Sequence, residues 1–156
     1  MRVGHGFDVH GFSDEAGRVL RLAGVDVPGH RGLAGHSDAD VIAHAVADAL
    51  LGAAGLGDIG ERYPDTDAAW AGADSMELLA AVTALLAADG WTVGNVDVTV
   101  VAEAPRLAPH RDAMQQRLSS AVGAPVTVKA KRAEGLGALG RREGIACWAV
   151  ALVERA

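Results

Sequence analysis

The clearest pattern along the chain is helical. From position 37 onward the apolar residues Val41, Ile42, Ala45, Val46 and Ala49 recur at spacings of three and four, while Asp40, His44 and Asp48 repeat every fourth residue. This predicts a helix opened by Ser37 as N-cap, with Asp40 in a capping-box-like position, running to about Ala54 and ended by Gly55 and Gly57. Before it, residues 1–10 alternate as a strand around Val3 and Phe7, residues 18–26 read as a second strand, and 28–35 is a glycine-rich loop. After it, residues 58–60 and 63–67 form a polar loop with three Asp, of a kind that often carries ligand contacts but that locally reads first as plain Asx turns. A second helix, capped by Ser75 and stopped before Gly90, turns Met76, Leu78, Leu79, Val82, Leu85 and Leu86 to the core. Residues 95–101 alternate as a strand with Val96, Val98 and Val100 on one side; a third helix covers about 109–122 and a further strand 126–130. The closing strand, 145–153, is nearly all apolar and suits the centre of a sheet. This order predicts an α/β (α+β) sandwich, a mixed β-sheet with helices on one side, in one domain over residues 1–156.

Composition narrows the class. Half of the 156 residues are hydrophobic but only 4% are aromatic, so the core is built from Ala, Val and Leu. With 14 Lys and Arg against 20 Asp and Glu the net charge is −6, which argues against general nucleic-acid binding. One cysteine, Cys147, excludes an intrachain disulfide and suits a reducing compartment. Neither a signal peptide nor an apolar run of membrane length is legible, so a cytoplasmic protein without a membrane partner is expected.

The chemistry starts at the charged stripe. Asp8 and His10, two apart on an extended chain, point to the same side. Together with the acid-flanked His44 they form an Asp, His, His set that suits zinc with a fourth position left for substrate; an exposed strand end would show the same two residues. His36, just ahead of the helix, could reach an anion held at the helix N-terminus. Residues 135–140, Gly-Leu-Gly-Ala-Leu-Gly, match the dinucleotide pattern, but the segment leads into the last strand and no acid follows at the required distance. The expectation is a flexible glycine loop. Around it Lys129, Lys131, Arg132, Arg141 and Arg142 form either a phosphate cradle or a solvated loop balanced by Glu134 and Glu143. Read this far, the chain is a metal- and anion-binding protein with the character of an enzyme.

Longer motifs specify more. Gly-His-Gly-Phe-Asp-Val-His at 4–10, Gly-His-Ser-Asp-Ala-Asp-Val at 35–41 and Leu-Gly-Asp-Ile-Gly at 56–60 come first. Tyr-Pro-Asp-Thr-Asp at 63–67, Asn-Val-Asp-Val-Thr at 95–99, Ala-Pro at 104–105 and Glu-Gly-Ile-Ala at 143–146 follow in order. Over nearly its full length the chain resembles the 2-C-methyl-D-erythritol 2,4-cyclodiphosphate synthases of the non-mevalonate isoprenoid pathway. The resemblance implies a phosphorus-oxygen lyase, a homotrimer with active sites between subunits, and a small cytidine diphosphate substrate, 4-diphosphocytidyl-2-C-methyl-D-erythritol 2-phosphate, cyclised with release of CMP. It implies Zn2+ or a similar divalent cation on Asp8, His10 and His44, and a second divalent cation, Mg2+ or Mn2+, on Glu134. His36 and Ser37 would steady the transferring phosphates, and Asp58, Gly60, Tyr63, Asp65 and Asp67 would hold the methylerythritol part. Ala102, Ala104, Pro105, Arg106, Leu107 and Ala108 would wrap the cytidine, with Lys131, Arg132, Ala133, Ala138 and Arg141 completing the substrate site.

Two stretches depart from the family's pattern. Lys131-Arg132-Ala133 stands where the family has three threonines, so Arg132 occupies the place of the one expected to stabilise the transition state. Arginine grips phosphate with two parallel donors but cannot act as a compact hydroxyl donor and acceptor. Either Lys131 and Arg132 supply charge at the diphosphate and lessen the need for the second metal, or nucleotide binding is altered. Further on, Ala138 replaces a phenylalanine beside an axial apolar cavity, and Arg142 adds a cation there. The resemblance leaves three readings to separate: the synthase, a trimeric zinc- and nucleotide-binding homologue without turnover, and an unrelated zinc phosphohydrolase.

Overall fold

The computed structural model describes residues 1–156. In chain order the elements are β1 (Arg2–Gly11), β2 (Arg21–Leu22), β3 (Val25–Asp26), α1 (Val41–Ala54), α2 (Ile59–Arg62), α3 (Ser75–Ala88), β4 (Trp91–Val101), α4 (Arg111–Val122), β5 (Val126–Lys131), α5 (Gly137–Gly140) and β6 (Gly144–Arg155). The main sheet runs β1-β6-β4-β5, with β4 and β5 parallel and the other pairs antiparallel. It is the expected mixed sheet, with β6 inside it. The buried residues of α1, α3 and α4 join those of the sheet in one cluster of 36. No helix is long and apolar enough to cross a membrane.

The packing of α1 on β1 places the candidate metal ligands. Gly4 and Gly6, which interrupt the apolar alternation of the first strand, lie directly under α1; a Cβ there would land on the carbonyl oxygens of Ala49 and Ala45. Without side chains at those points the helix can settle against the strand, and His44 comes to lie beside Asp8. Ile42, Leu50 and Leu51 are fully buried from the helix's apolar face, each worth about 1.5–3 kcal/mol of transfer free energy.

Several local expectations need correction. The cap of α1 is Asp40, not Ser37: its carboxylate accepts from Ile42 N and Ala43 N at 3.1 Å and from Ala23 N and Gly24 N at 2.8 and 2.7 Å. A carboxylate satisfying four backbone donors outcompetes a serine satisfying one. Asp40 therefore lies outside the helix and does not stack with His44 and Asp48, and it fills the anion site expected at the helix N-terminus. The strand read at 18–26 is instead a hairpin of two short strands, β2 and β3, because Ala23 (φ 52) and Gly24 (φ 70) both take left-handed conformations and turn the chain back. Asp74 rather than Ser75 caps α3, accepting from Met76 N at 2.8 Å. The third helix begins as a 3-10 turn over Ala108–His110 before α4. The strand read from Asn95 starts at Trp91 and carries a bulge between Val93 and Asn95. The glycine segment is not a flexible loop: its second half makes the single turn α5, followed by β6.

One face of the sheet carries no helix. Val3, Phe7 and Val9 of β1 and Trp148 and Val150 of β6 lie on it, between 37% and 68% exposed. The Phe7 and Trp148 rings pack at 5.0 Å between centroids. These five large apolar side chains form one exposed patch on two adjoining strands.

Candidate active site

Three ligand atoms converge where β1 meets α1. Asp8 Oδ2 lies 3.0 Å from His10 Nε2 and 3.0 Å from His44 Nδ1, and the two imidazole nitrogens are 3.4 Å apart. Tetrahedral zinc with bonds near 2.0–2.1 Å spaces its ligand atoms by about 3.3 Å, so the arrangement fits such an ion. Among groups of His, Cys, Asp and Glu this is the one cluster able to hold a metal. Burial pushes the Asp8 carboxyl up, but hydrogen bonds from His10 and His44 outweigh it and hold the group well below the usual carboxylate range. For His10 burial works downward, and the hydrogen bond and charge of Asp8 win, raising it above its ordinary value. Cys147 is buried in the sheet and its thiol is pushed up by burial, so it is no nucleophile.

A cavity of about 220 Å³ opens beside the triad, lined in part by His10, His36, Ser37, His44, Gly60, Tyr63 and Asp65. The fold thus brings together the metal triad, the 35–37 segment and part of the 58–67 loop. The His36 ring donates to the Asp67 carbonyl at 3.1 Å, which turns it over that loop. Asp58 and Asp67 face local structural tasks: Asp58 caps α2 through Glu61 N at 2.8 Å and Asp67 caps the 3-10 turn Ala68–Trp70 through Ala69 N at 2.9 Å. The wall also holds Ile59, Trp70 and Leu78, which sequence reasoning did not assign. Trp70 stacks edge-on against Tyr63, seven residues before it, at 4.9 Å between centroids.

The remaining site residues gather elsewhere. Ala102, Pro105, Arg106, Leu107, Ala108, Lys131 and Arg132 share a second cavity of about 170 Å³. Ala104 lies within the same 102–108 segment, and Ala133, Glu134, Ala138 and Arg141 follow on the adjoining turns. Val9, Ala146, Val101 and Lys131 are successive partners across the four strands, so the two cavities open at the same end of the sheet. Three strand spacings separate β1 from β5 there, about 14 Å. Within one chain the two halves do not meet.

In this second half three of the cations are held in ion pairs. Arg132 donates from Nε and Nη2 to Glu103 Oε2 at 3.1 and 2.8 Å, and Glu103 Oε1 accepts from Gly135 N at 3.1 Å. The Arg132 guanidinium, and next the Gly135 N–H, hold the Glu103 carboxyl below its ordinary value, and Glu103 in turn raises Arg132. Lys129 pairs with Asp97 at 2.5 Å and Arg141 with Glu143 at 2.7 Å, leaving Arg106, Lys131 and Arg142 without an ion-pair partner. Glu134 takes a left-handed conformation (φ 53) and joins no cluster of ligands. A lone exposed carboxylate suits magnesium, which is held by one or two carboxylates together with substrate phosphates.

Comparison with known proteins agrees with this geometry. The YgbB family matches residues 1–154. A 2-C-methyl-D-erythritol 2,4-cyclodiphosphate synthase of Bordetella petrii is 55% identical over 159 residues, covering 100% of this chain and 97% of its own. The bifunctional IspDF of Campylobacter jejuni superposes with a TM-score of 0.94 at 42% identity, covering 99% of this chain, which spans 42% of that longer protein. The CDP complex of IspF from Plasmodium falciparum superposes with a TM-score of 0.85 at 30% identity, covering 99% of this chain and 96% of that one. From the Asp8, His10 and His44 cluster to the last strand, the chain belongs to the YgbB family and is an enzyme, a lyase of the cyclodiphosphate synthase kind.

Proposed function

We propose that the chain converts 4-diphosphocytidyl-2-C-methyl-D-erythritol 2-phosphate into 2-C-methyl-D-erythritol 2,4-cyclodiphosphate and CMP. A 2-phosphate oxygen bonds to the β-phosphorus, the bond from that phosphorus to the oxygen bridging it to the α-phosphorus breaks, and CMP leaves with the bridging oxygen and the electron pair. The observation that carries the reading is the convergence of Asp8, His10 and His44 beside a cavity lined by His36, Ser37 and Tyr63. A divalent cation on the triad would supply Lewis acidity at the β-phosphate, and a second, held by Glu134 with the substrate, would offset charge on the diphosphate. His36 and Ser37 bind and orient the reacting phosphates, while Gly60, Tyr63, Asp65 and the Asp58 and Asp67 turns hold the methylerythritol part. The 102–108 segment holds the cytidine, with Lys131, Arg132, Ala133, Ala138 and Arg141 on the diphosphate side. No side chain need attack, since both reacting phosphates belong to one molecule and proximity lowers the barrier.

The two cavities share no lining residue and open beside opposite edge strands, β1 and β5, so we take them to be completed by a neighbouring chain. We place them on neighbouring subunits of a homotrimer closed through the exposed apolar face of Val3, Phe7, Val9, Trp148 and Val150. Sedimentation of a monomer at working concentration would sink this assembly. The position of Arg132, turned onto Glu103 in place of a free hydroxyl, favours one second reading, a zinc- and nucleotide-binding trimer without turnover. Phosphorus NMR of the protein with zinc, magnesium and substrate decides between them. Cyclic diphosphate and equimolar CMP are expected; no change from a trimeric, zinc-loaded protein would establish the binding-only reading, and hydrolysis of simple phosphoesters would establish a phosphohydrolase.

A further inference from the structure

Beneath His44 lies a chain of hydrogen bonds that none of the assigned roles uses. His44 Nε2 is 2.8 Å from Ser75 Oγ, and the Ser75 hydroxyl sits in a short contact with Asp38 Oδ1. Ser75 is 1% exposed, and Asp38 Oδ2 also accepts from Ser75 N at 3.2 Å. Arg21 Nη1 stands 3.8 Å from Asp38 Oδ2, a counter-charge at the end of the chain. An ionised carboxylate only accepts, so the Ser75 proton must point at Asp38. The Ser75 oxygen is then left to accept, so His44 carries an N–H on Nε2. Its Nδ1 hydrogen-bonds Asp8 Oδ2 at 3.0 Å and is the nitrogen that a cation would take in place of that bond. His10 is fixed in the opposite sense: its Nδ1–H donates to the Ala34 carbonyl at 2.6 Å, and Nε2 faces the triad.

We infer that Ser75 and Asp38 are positioning residues that hold His44 in the Nε2–H tautomer and aim its Nδ1 at the cation site. The inference rests on the metal reading of the triad and adds what presets it. A buried hydroxyl backed by a carboxylate serves here as the partner that a metal-bound imidazole requires for its second nitrogen. Ser75 stands at the first turn of α3, so the tip of one helix sets the ligand on another. Ser37 Oγ, 3.2 Å from the same nitrogen, also accepts from Ala39 N at 3.1 Å; it flanks the relay without a carboxylate behind it.

The test uses the full chain and zinc alone. Competition with a chromogenic chelator is expected to show about 10–100-fold weaker zinc binding in Ser75→Ala, the loss usual for such outer partners. Nitrogen-15 NMR of the metal-free protein should show a proton on His44 Nε2 in the unaltered chain, and the Nδ1–H tautomer facing Asp8 should gain share in Ser75→Ala. Ser37→Ala should change both readouts less. Unchanged zinc affinity with a persistent Nε2–H tautomer in Ser75→Ala would overturn the inference, and so would an equal effect of Ser37→Ala. If Ser75→Ala does not fold, Asp38→Asn removes the enforced direction of the Ser75 proton, and a pure Nε2–H tautomer there would overturn it as well. Failure of the unaltered chain to bind zinc strikes the metal reading, whereas the tautomer readout judges the relay by itself.

Discussion

The two halves of the candidate site are built by different physics. Around the triad every ring nitrogen and carboxylate is held by a partner that is itself held: Ala34 behind His10, Ser75 behind His44, and two imidazoles around Asp8. Their side chains are 14–25% exposed. Around the second cavity the contacts are ion pairs at the surface, with Arg132 63% and Arg141 64% exposed. Buried, fully partnered groups keep their geometry without a ligand, while exposed pairs exchange partners at little cost. The first half is therefore set within one chain, while the second is held only by exposed ion pairs.

Substitutions can break this contrast. Removing a ligand of the first half should have the largest effect: His44→Ala or Asp8→Asn is expected to abolish zinc loading and lower turnover by about 10³-fold or more, the several kcal/mol that a Lewis acid supplies. Full turnover in a zinc-free variant would end the metal reading. Next comes the backbone contact under that half. Gly6→Ala places a methyl on the Ala45 carbonyl and should destabilise the fold by about 1–3 kcal/mol, read as a lower urea midpoint, with weaker zinc binding because His44 shifts from Asp8. An unchanged midpoint would show that α1 does not depend on that close approach.

Changes in the open half should be milder. Arg132→Ala and Glu103→Gln are each expected to leave stability within about 1 kcal/mol, as for exposed ion pairs, and to weaken CMP binding by about 3–10-fold to a similar degree. A far larger loss from Arg132→Ala than from Glu103→Gln would mean that the guanidinium leaves Glu103 to grip phosphate. Activity that survives omission of magnesium and manganese would point the same way. The smallest effect concerns pH in the metal-free protein. His10 is raised in the fold, so its contribution is complete below about 6.5 and fades as pH climbs through the raised value. Asp8 is depressed, so its contribution holds above about 3.9 and is lost as pH falls through its lower folded value. The melting-temperature gap between the unaltered protein and Asp8→Asn should therefore be widest between those limits and narrow toward alkaline pH. A gap that widens with pH would contradict the Asp8–His10 pair.

Much of this was legible in the residues. Asp8 and His10 at strand spacing, His44 on a helix and the glycine stop after Ala54 are local patterns with few structural outcomes. The alternation of Val96, Val98 and Val100 and the apolar last strand likewise placed β4 and β6 correctly in type and, for β6, in position. What failed was competition between neighbours. Ser37, Asp38 and Asp40 are all credible caps, and the choice fell to Asp40 because the β2–β3 hairpin brings two more N–H donors to it. Ser75 looked like a cap and is a partner of His44 instead, since α3 packs its first turn against α1.

By itself the sequence determined the types of the longer elements, the candidate ligand set, the chemistry those ligands favour and the family, because each rests on spacing along the chain or on ordered motifs. The tertiary structure decided which carboxylate caps α1, which nitrogen of each imidazole turns to Asp8, and that the cavity of Lys131 and the 102–108 segment opens beside β5, at the far edge of the sheet from β1. Those depend on contacts between segments tens of residues apart, where a helix settles on two glycines and a hairpin reaches a buried acid. No local pattern carries that information, because close packing sets it across the whole core at once.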